Sequence, residues 1–468
     1  MTTRQNTSSA TRSATRPADR PATRGPADSR PARAEIDTTR PPARGQQTAE
    51  SRARSCAMAS APPAELSREN APPQSGPHVY ANAPLHGPAH ANARRRARRL
   101  LRAGTLTELI SGRFAQTQDW ARHSLDRKIL EKILAVTQVH PHWALASISA
   151  AAVYGYVARA GLHSRVHCTA DEHTASARRS VVPVCFHHVK GGRLRSGEGD
   201  DPRAEEPQPR SQTLLNAFGE RGYEDSQDVV RNYVALSDTL GLLFGILVTS
   251  PLQTMFDCAR MLPFSDALPA CDYIARVFCI SRDAIREFLD KRRGCWKIRY
   301  ARFVLGFVDA RSESGGESFC RARMIESGFV LPELQQSMAN PLSAPEFITT
   351  ARYTTMTMRT DFMWKGTKTI VAEFDGQCKY TDPTMITSVG ASDGDEVHEI
   401  QAERDTALTM MGCEVVHVTY ADVRYNSGRS LSRKLRAAGV PEVSYWEKYR
   451  RKHWLARSFH ARSLMRLE

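Results

Sequence analysis

The sequence has no pair of cysteines at the CxxC spacing, although ten cysteines occur among its 468 residues. Their irregular spacing argues against a zinc ribbon and against a dense disulfide framework, and reduced thiols in a cytoplasm fit best. No apolar run reaches the roughly 18 residues that a membrane span needs. The N-terminus also lacks the apolar core of a secretory signal. We therefore expect a cytoplasmic protein without membrane contact.

Several motifs of enzyme sites are also missing. Residues 366–369 mimic the end of a phosphate-binding loop but lack its earlier glycine. The pairs His140 with His142 and His187 with His188 have no Cys or carboxylate partners at zinc spacing, so we interpret them as surface or core histidines.

Proline and positive charge are concentrated at the start of the chain. Residues 1–100 hold 13 of the 26 prolines and 17 arginines, with no lysine and only 7 acidic residues. Residues 1–92 have almost no large apolar side chains, which predicts a disordered tail. The tail could be a weak polyanion-binding arm or an extended start without a role.

The whole chain carries a formal net charge of +15. A basic balance favours polyanions, because Lys and Arg release counterions from a phosphate backbone. A solvated, mildly basic surface explains the charge equally simply. We therefore expect DNA as the partner only where motifs agree, with RNA and a homodimer left open.

Hydrophobic spacing predicts a mixed helix and strand architecture after the tail. Up to residue 311 the pattern favours helices, at about 94–110, 127–136, 146–158, 252–261 and 267–278, with β-like runs at 164–168, 181–187 and 228–235. From residue 312 it changes to α/β, with helices at about 317–327 and 396–411 and strands at 354–364, 367–375 and 413–419. The last residues, 445–468, read as a basic helix.

Three carboxylates lie on the paired strands of this α/β region. Asp361 lies on the first strand, and Glu373 and Asp375 lie on the second. Side chains alternate along a strand, so Glu373 and Asp375 share one face while Ala372 and Phe374 point to the core. A turn-like break between the strands would pair them antiparallel and bring Asp361 close to Glu373.

Carboxylates gathered on one face repel one another unless a cation or a raised pKa relieves the repulsion. The hard ions Mg²⁺ and Mn²⁺ fit oxygen ligands, so we predict a metal site at Asp361, Glu373 and Asp375. Such an ion can polarise a phosphate and orient an attacking water. Lys379 follows and could balance charge in the transition state. The alternative is an acidic strand edge that simply faces solvent.

Other charged residues of this region have two interpretations each. Ser314 and Glu317 have capping-box spacing, so Glu317 either caps its helix or adds a fourth acidic group near the metal. Arg321 lies one turn along and could contact phosphate or pair with Glu317. Arg404 could touch DNA, hold an acidic ligand or lie on a solvated helix face.

These residues together resemble the restriction-endonuclease-like superfamily with the PD-(D/E)xK motif, in particular proteins similar to very-short-patch-repair endonucleases. The matching positions run in order from about residue 314 to 423: Ser314, Glu317, Ser318, Arg321, Gly328, Pro332, Thr360, Asp361, Phe362, Trp364, Glu373, Phe374, Asp375, Gly376, Lys379, Tyr380, Arg404, Asp405, Leu408 and Gly412. The resemblance implies an αβββαβ core with Asp361 and Glu373 coordinating Mg²⁺. Asp375 stands where the family has lysine, and Lys379 is the candidate substitute.

The earlier region resembles AbiEi-type antitoxins and transcriptional regulators, which carry a winged helix-turn-helix. The matching segments are residues 98–104, 109–114, 149–155 and 248–260. In such a module Arg98, Arg99 and Arg102 would contact phosphates rather than specify bases. A solvated basic helix face is the alternative.

The sequence therefore predicts a multidomain protein of the α+β or α/β class. The expected divisions are a disordered tail (1–92), a winged-helix-like module (93–160), a mixed connector (161–310), a restriction-endonuclease-like domain (311–425) and a basic helical tail (426–468). We expect an Mg²⁺-dependent DNA endonuclease. The second hypothesis is a non-catalytic DNA-binding regulator whose nuclease-like domain has lost cleavage.

Overall fold

A basic helix and a small hairpin open the part of the chain that the structure describes. The computed structural model describes residues 91–110, 112–170, 184–189, 207–220, 222–347, 355–375 and 394–458, all within the compact unit Ser75–Glu468. Helix α1 (Ala91–Arg102) is followed by the antiparallel strands β1 (Leu106–Ile110) and β2 (Arg113–Gln116). The predictions for residues 1–90 concern a segment outside the described residues.

The prediction of a helix through Leu106, Leu109 and Ile110 is wrong. These residues form β1, and the register of the hairpin shifts between Glu108 and Ile110. This bulge buries Leu109 and Ile110 as well as Leu106. One extra residue in a strand thus produced the i, i+3, i+4 spacing that normally indicates a helix.

Helices dominate the chain between this hairpin and residue 311, as the apolar spacing predicts. They are α2 (Thr117–Arg122), α3 (Leu125–Val139), α4 (Ser147–Val153), α5 (Pro207–Phe218), α6 (Gln227–Arg231), α7 (Pro251–Met261), α8 (Phe264–Val277), α9 (Arg282–Asp290) and α10 (Ile298–Leu305). Serine hydroxyls at residues 124, 250 and 281 accept backbone N–H groups at the starts of α3, α7 and α9, which satisfies donors that a helix end leaves open.

Short strands complete this helical region. The parallel strands β3 (Val166–Ala170) and β4 (Val184–His188) pair with each other. The antiparallel strands β5 (Tyr233–Ala235), β6 (Leu240–Leu243) and β7 (Ile246–Thr249) form a second sheet. The run expected as one strand at 228–235 is therefore a short helix, α6, followed by the three residues of β5.

The α/β region forms one four-stranded sheet. Helix α11 (Gly315–Ser327) precedes β8 (Glu333–Ala339), β9 (Thr357–Trp364) and β10 (Thr369–Asp375). Helix α12 (Gly394–Met410) and strand β11 (Cys413–Thr419) follow. The strand order is β11-β10-β9-β8, with β8, β9 and β10 antiparallel and β11 parallel to β10.

Both faces of this sheet are covered, because side chains alternate along each strand. Ala372 and Phe374 pack in the cluster that contains Cys320 and Met324 of α11. On the other face, Val371 packs in a cluster with residues of α12. The prediction that Ala372 and Phe374 face the core is confirmed. Phe374 lies so close to α11 that a Cβ at Gly316 would meet its ring at 2.4 Å.

The C-terminal helices pack beside this sheet. They are α13 (Tyr420–Arg424), α14 (Arg429–Ala437) and α15 (Tyr445–Ala456). Arg451 of α15 is buried and donates to the carbonyl of Phe329, which anchors α15 beside the end of α11. Among the described residues, no helix has both the length and the apolar character that crossing a membrane requires.

Candidate active site

Glu317 lies at the start of α11 and is almost completely buried. The Ser314 hydroxyl accepts the Glu317 N–H at 3.1 Å, and the Glu317 carboxylate accepts the N–H of Glu313 at 2.9 Å. The carboxylate also accepts the Gln335 side-chain amide at 3.0 Å. Glu317 therefore contributes to the helix start and also presents its carboxylate toward the sheet.

Asp361 lies where β9 and β10 stop pairing. The ladder between these strands ends at the pair Ala372 and Phe362. One more step of this register would set Asp361 opposite Glu373. Beyond the end of the ladder, the Asp361 carboxylate accepts the Phe374 N–H at 2.8 Å. The side chain thus takes the place of the backbone carbonyl that would accept this N–H in a continued ladder.

Gln335 connects the two acidic groups. Its side-chain nitrogen lies 3.0 Å from Glu317 Oε2 and 3.4 Å from Asp361 Oδ1. Gln335 has φ 53°, a left-handed conformation within β8 that non-glycine residues adopt rarely. Burial, and then the nearby Asp361 carboxylate, raise the pKa of Glu317. Two like charges thus share one amide at this end of the sheet.

Glu373 is buried beside α12. Its carboxylate accepts the Arg404 guanidinium at 2.9 Å, and the same nitrogen of Arg404 donates to the carbonyl of Arg359 on β9. Of the roles expected for Arg404, the structure places it in the one that holds an acidic residue. The contact also connects α12 to both central strands of the sheet.

Asp375 pairs with a histidine that the sequence interpretation missed. His417 of β11 contacts Asp375 through Nδ1 and Asp405 through Nε2, each at 2.8 Å. These contacts, with Asp375 first, raise the pKa of His417 to about 10. The imidazole is therefore a cation at neutral pH. The second oxygen of Asp375 is buried and has no hydrogen-bond partner in the part of the chain that the structure describes.

The predicted site residues fall into neighbouring groups. Glu317 and Asp361 meet at Gln335, while Glu373 and Asp375 lie on the α12 side with positively charged partners. Within the described residues, Asp361, Glu373 and Asp375 do not bring three carboxylate oxygens within 4.8 Å of one another. Lys379 lies outside the described residues.

Arg321 takes a role that differs from both expectations. It is 3% exposed and forms an ion pair with Asp272 of α8 at 2.6 Å. A second nitrogen donates to the carbonyl of Phe307 at 2.7 Å. The guanidinium is enclosed between α8 and α11 and pairs with Asp272 rather than with Glu317. It is also hidden from solvent, so it is not placed to contact a phosphate. Arg98, Arg99 and Arg102 are exposed on α1.

The contacts of His417 with Asp375 and Asp405 predict that the stability of the folded chain depends on pH. The pKa of His417 is near 10 in the folded chain and about 6.5 in an unfolded one, so the stabilisation is full below about pH 6.5 and lost as pH rises through about 10. We expect His417→Gln to lower the free energy of unfolding by about 1 kcal/mol at pH 6, a modest value because the pair is partly exposed.

Denaturant unfolding at pH 6 and at a pH above 10 tests this expectation. His453→Gln, an exposed histidine of α15, is the matched control and should change little at either pH. An equal loss of stability in His417→Gln at both pH values would show that the imidazolium contributes nothing.

Comparison with known proteins gives distant relatives. The uncharacterized proteins MT2308 and Rv2248 of Mycobacterium tuberculosis are each 28% identical to this chain over 189 residues. The match covers 40% of this chain, and the chain spans 60% of the length of these relatives. No family model matches the chain, and no solved structure matches it at a significant level. Neither relative is described with an activity.

Proposed function

We propose that residues 311–425 form a restriction-endonuclease-like domain that hydrolyses phosphodiester bonds in DNA with the help of Mg²⁺ or Mn²⁺. The observation that carries the proposal is the meeting of Glu317 and Asp361 at Gln335, with Glu373 on the adjacent strand. A buried carboxylate and a partly exposed one that share one amide donor are a natural site for a cation.

The order of elements supports the same domain type. Helix α11, strands β8 to β10, helix α12 and strand β11 follow one another as α, β, β, β, α, β. This order is the core that the resemblance of the sequence implies. The acidic residues lie at the start of α11, in the middle of β9 where its pairing with β10 ends, and near the end of β10.

The residues present fit a hard divalent ion. Mg²⁺ keeps several waters and takes only one or two carboxylates, so three converging protein ligands are not needed. Asp361 and Glu373 would hold the ion, with Glu317 beside them. When bound, the ion would polarise the phosphate and lower the pKa of a water. Its charge would also relieve the repulsion between Glu317 and Asp361.

Positive charge at this site comes from residues other than the expected lysine. Asp375 occupies the lysine position, but it holds His417, which is a cation at neutral pH. Arg404 lies at Glu373 on the same face of the sheet. We infer that Arg404 and His417 orient the carboxylates and stabilise charge on the phosphate, where a preorganised cation is most effective.

DNA binding would involve the N-terminal module. The arginines Arg98, Arg99 and Arg102 lie on α1 with exposed side chains. Exposed arginines on one helix suit contacts to phosphates, which position a protein on a duplex without reading its sequence. The winged helix-turn-helix of AbiEi-type regulators is the module that we propose for this region.

One observation favours the second candidate function, a DNA-binding regulator without cleavage. Glu373 and Asp375 both have cationic partners within the protein, so their charges are balanced without a metal ion. In a domain that has lost its metal, such ion pairs would stabilise the carboxylates that the metal no longer neutralises. The two functions differ in one measurable property, which is cleavage.

Incubation of the full chain with supercoiled plasmid DNA tests the proposal. We expect nicking with Mg²⁺ or Mn²⁺, and none with Ca²⁺ alone or with excess EDTA, because Ca²⁺ binds oxygen ligands with a looser geometry. Binding of the same DNA should weaken steeply as salt rises. Retained binding with no cleavage under any metal would favour the regulator and overturn the proposed activity.

A further inference from the structure

A second cluster of metal-ligating residues lies outside the carboxylate site, on the parallel strands β3 and β4. In their register His167 lies beside Cys185, and Thr169 lies beside His187. The alternate residues Val166 and Val184 point into the apolar core. Because side chains alternate, His167, Cys185 and His187 share the opposite face of this strand pair.

The ligand atoms of these three residues converge. One nitrogen or sulfur atom from each of His167, Cys185 and His187 lies within 4.8 Å of the other two. Nδ1 of His167 is 2.7 Å from Nε2 of His187. One of these nitrogens must accept the hydrogen bond, so at least one imidazole carries a lone pair directed into the cluster.

We propose that His167, Cys185 and His187 form a Zn²⁺ site. Two imidazoles and a thiolate are the donors that zinc prefers, whereas the hard ions suited to the carboxylate site take oxygen ligands. Around a tetrahedral ion the two nitrogens would lie roughly 3.3 Å apart, so the imidazoles need to separate by only about 0.6 Å.

One member of the cluster, His187, lines a cavity. His187 lines a cavity of about 830 Å³, together with Gln253, Arg260 and Trp296. Zinc sites with three protein ligands keep their fourth position for water or a ligand. The cluster has this composition, and the cavity provides the room. The ion would also tie β3 to β4, since each strand supplies at least one ligand.

The sequence spacing concealed this site. The spacing predicts a surface or core histidine at His187, because Cys185 precedes it by only two residues, which is not a typical zinc spacing. His167 and Cys185 are 18 residues apart, and the parallel pairing of β3 with β4 sets them side by side. Cys185 lies on the same strand as His187, whereas the third member of the cluster, His167, is a neighbour across strands.

Metal content and cobalt substitution of the full chain test the proposal. We expect the purified protein to retain about one Zn²⁺ per chain, and the Co²⁺-exchanged protein to show a thiolate-to-cobalt charge-transfer band. Cys185→Ser should abolish that band, and His187→Gln should lower zinc affinity at least about tenfold. Cys279→Ser is the matched control, because Cys279 is an exposed thiol outside the cluster.

The cobalt spectrum and the zinc content distinguish a Zn²⁺ site from a hydrogen-bonded histidine pair. Loss of the band in Cys185→Ser, with the band retained in Cys279→Ser, would support the site. Absence of bound zinc from the wild-type chain after dialysis against micromolar Zn²⁺ would overturn it, leaving a hydrogen-bonded histidine pair only. Retention of zinc and of the band in Cys185→Ser would overturn it as well. Neither result depends on DNA cleavage, so the test is independent of the proposed nuclease.

Discussion

Glu373→Ala is expected to reduce Mg²⁺-dependent DNA cleavage by about 10³-fold or more, because a ligand of the ion is lost and metal polarisation supplies several kcal/mol to such reactions. Affinity for DNA should stay within about twofold at low salt, since we propose that Arg98, Arg99 and Arg102 of α1 make the main phosphate contacts. The single-turnover cleavage rate and DNA binding are measured on the same protein preparations.

Two further variants make this prediction specific. Glu373→Gln keeps the side-chain volume and a hydrogen-bond acceptor for Arg404, and it should be nearly as inactive because the charge is missing. Glu333→Ala removes an exposed glutamate of β8 that pairs with Lys365, and it should cleave like the wild type. Cleavage by Glu373→Gln at the wild-type rate would remove Glu373 from the proposed metal site.

Arg321→Ala is expected to lower the free energy of unfolding by about 3–5 kcal/mol, because it leaves the buried carboxylate of Asp272 without its charge partner. Asp272 is fully buried on α8, and burial raises its pKa. The Asp272 carboxylate also accepts the N–H of Asp309, so the pair joins α8 to the segment that leads into α11. Denaturant unfolding measures the loss.

The exposed pair of Arg231 with Asp225 provides a matched control. Its members are about half exposed, and Arg231 also pairs with Asp228, so Arg231→Ala should change the stability little. The double replacement Arg321→Met with Asp272→Leu should recover part of the stability, because an apolar pair of similar size needs no charge compensation, while the N–H of Asp309 loses its acceptor. Equal effects of Arg321→Ala and Arg231→Ala would contradict the importance of the buried pair.

The positions of most strands and helices in the α/β region could be predicted from the sequence. Strands β9, β10 and β11 and helix α11 were expected close to their observed bounds, because their apolar residues alternate or recur with helical spacing. Strand β8 was missed. Its sequence, ELQQSMA, is polar and at least partly exposed at every residue but Leu334, since the strand lies at the edge of the sheet. Gln335 also interrupts its regular conformation.

Contacts between residues far apart in the sequence explain most of the other differences between the predicted and the observed roles of the charged residues. Arg321 and Asp272 are 49 residues apart, and His417 and Asp375 are 42 residues apart. Such pairs depend on how α8 packs against α11 and on the register between β10 and β11. Local spacing could identify the charged residues, but it could not choose between a phosphate and an internal carboxylate as the partner of Arg321.

We propose that carboxylates from neighbouring strands of the α/β region hold a hard cation beside a phosphate. Titration of the full chain with Mn²⁺, followed by electron paramagnetic resonance of the free ion, tests it most directly. The wild type should bind about one Mn²⁺ that excess Mg²⁺ displaces, and Asp361→Asn combined with Glu373→Gln should bind none at the same concentrations. Mn²⁺ binding that is equal in the two proteins, or absent from the wild type with DNA present, would contradict the claim.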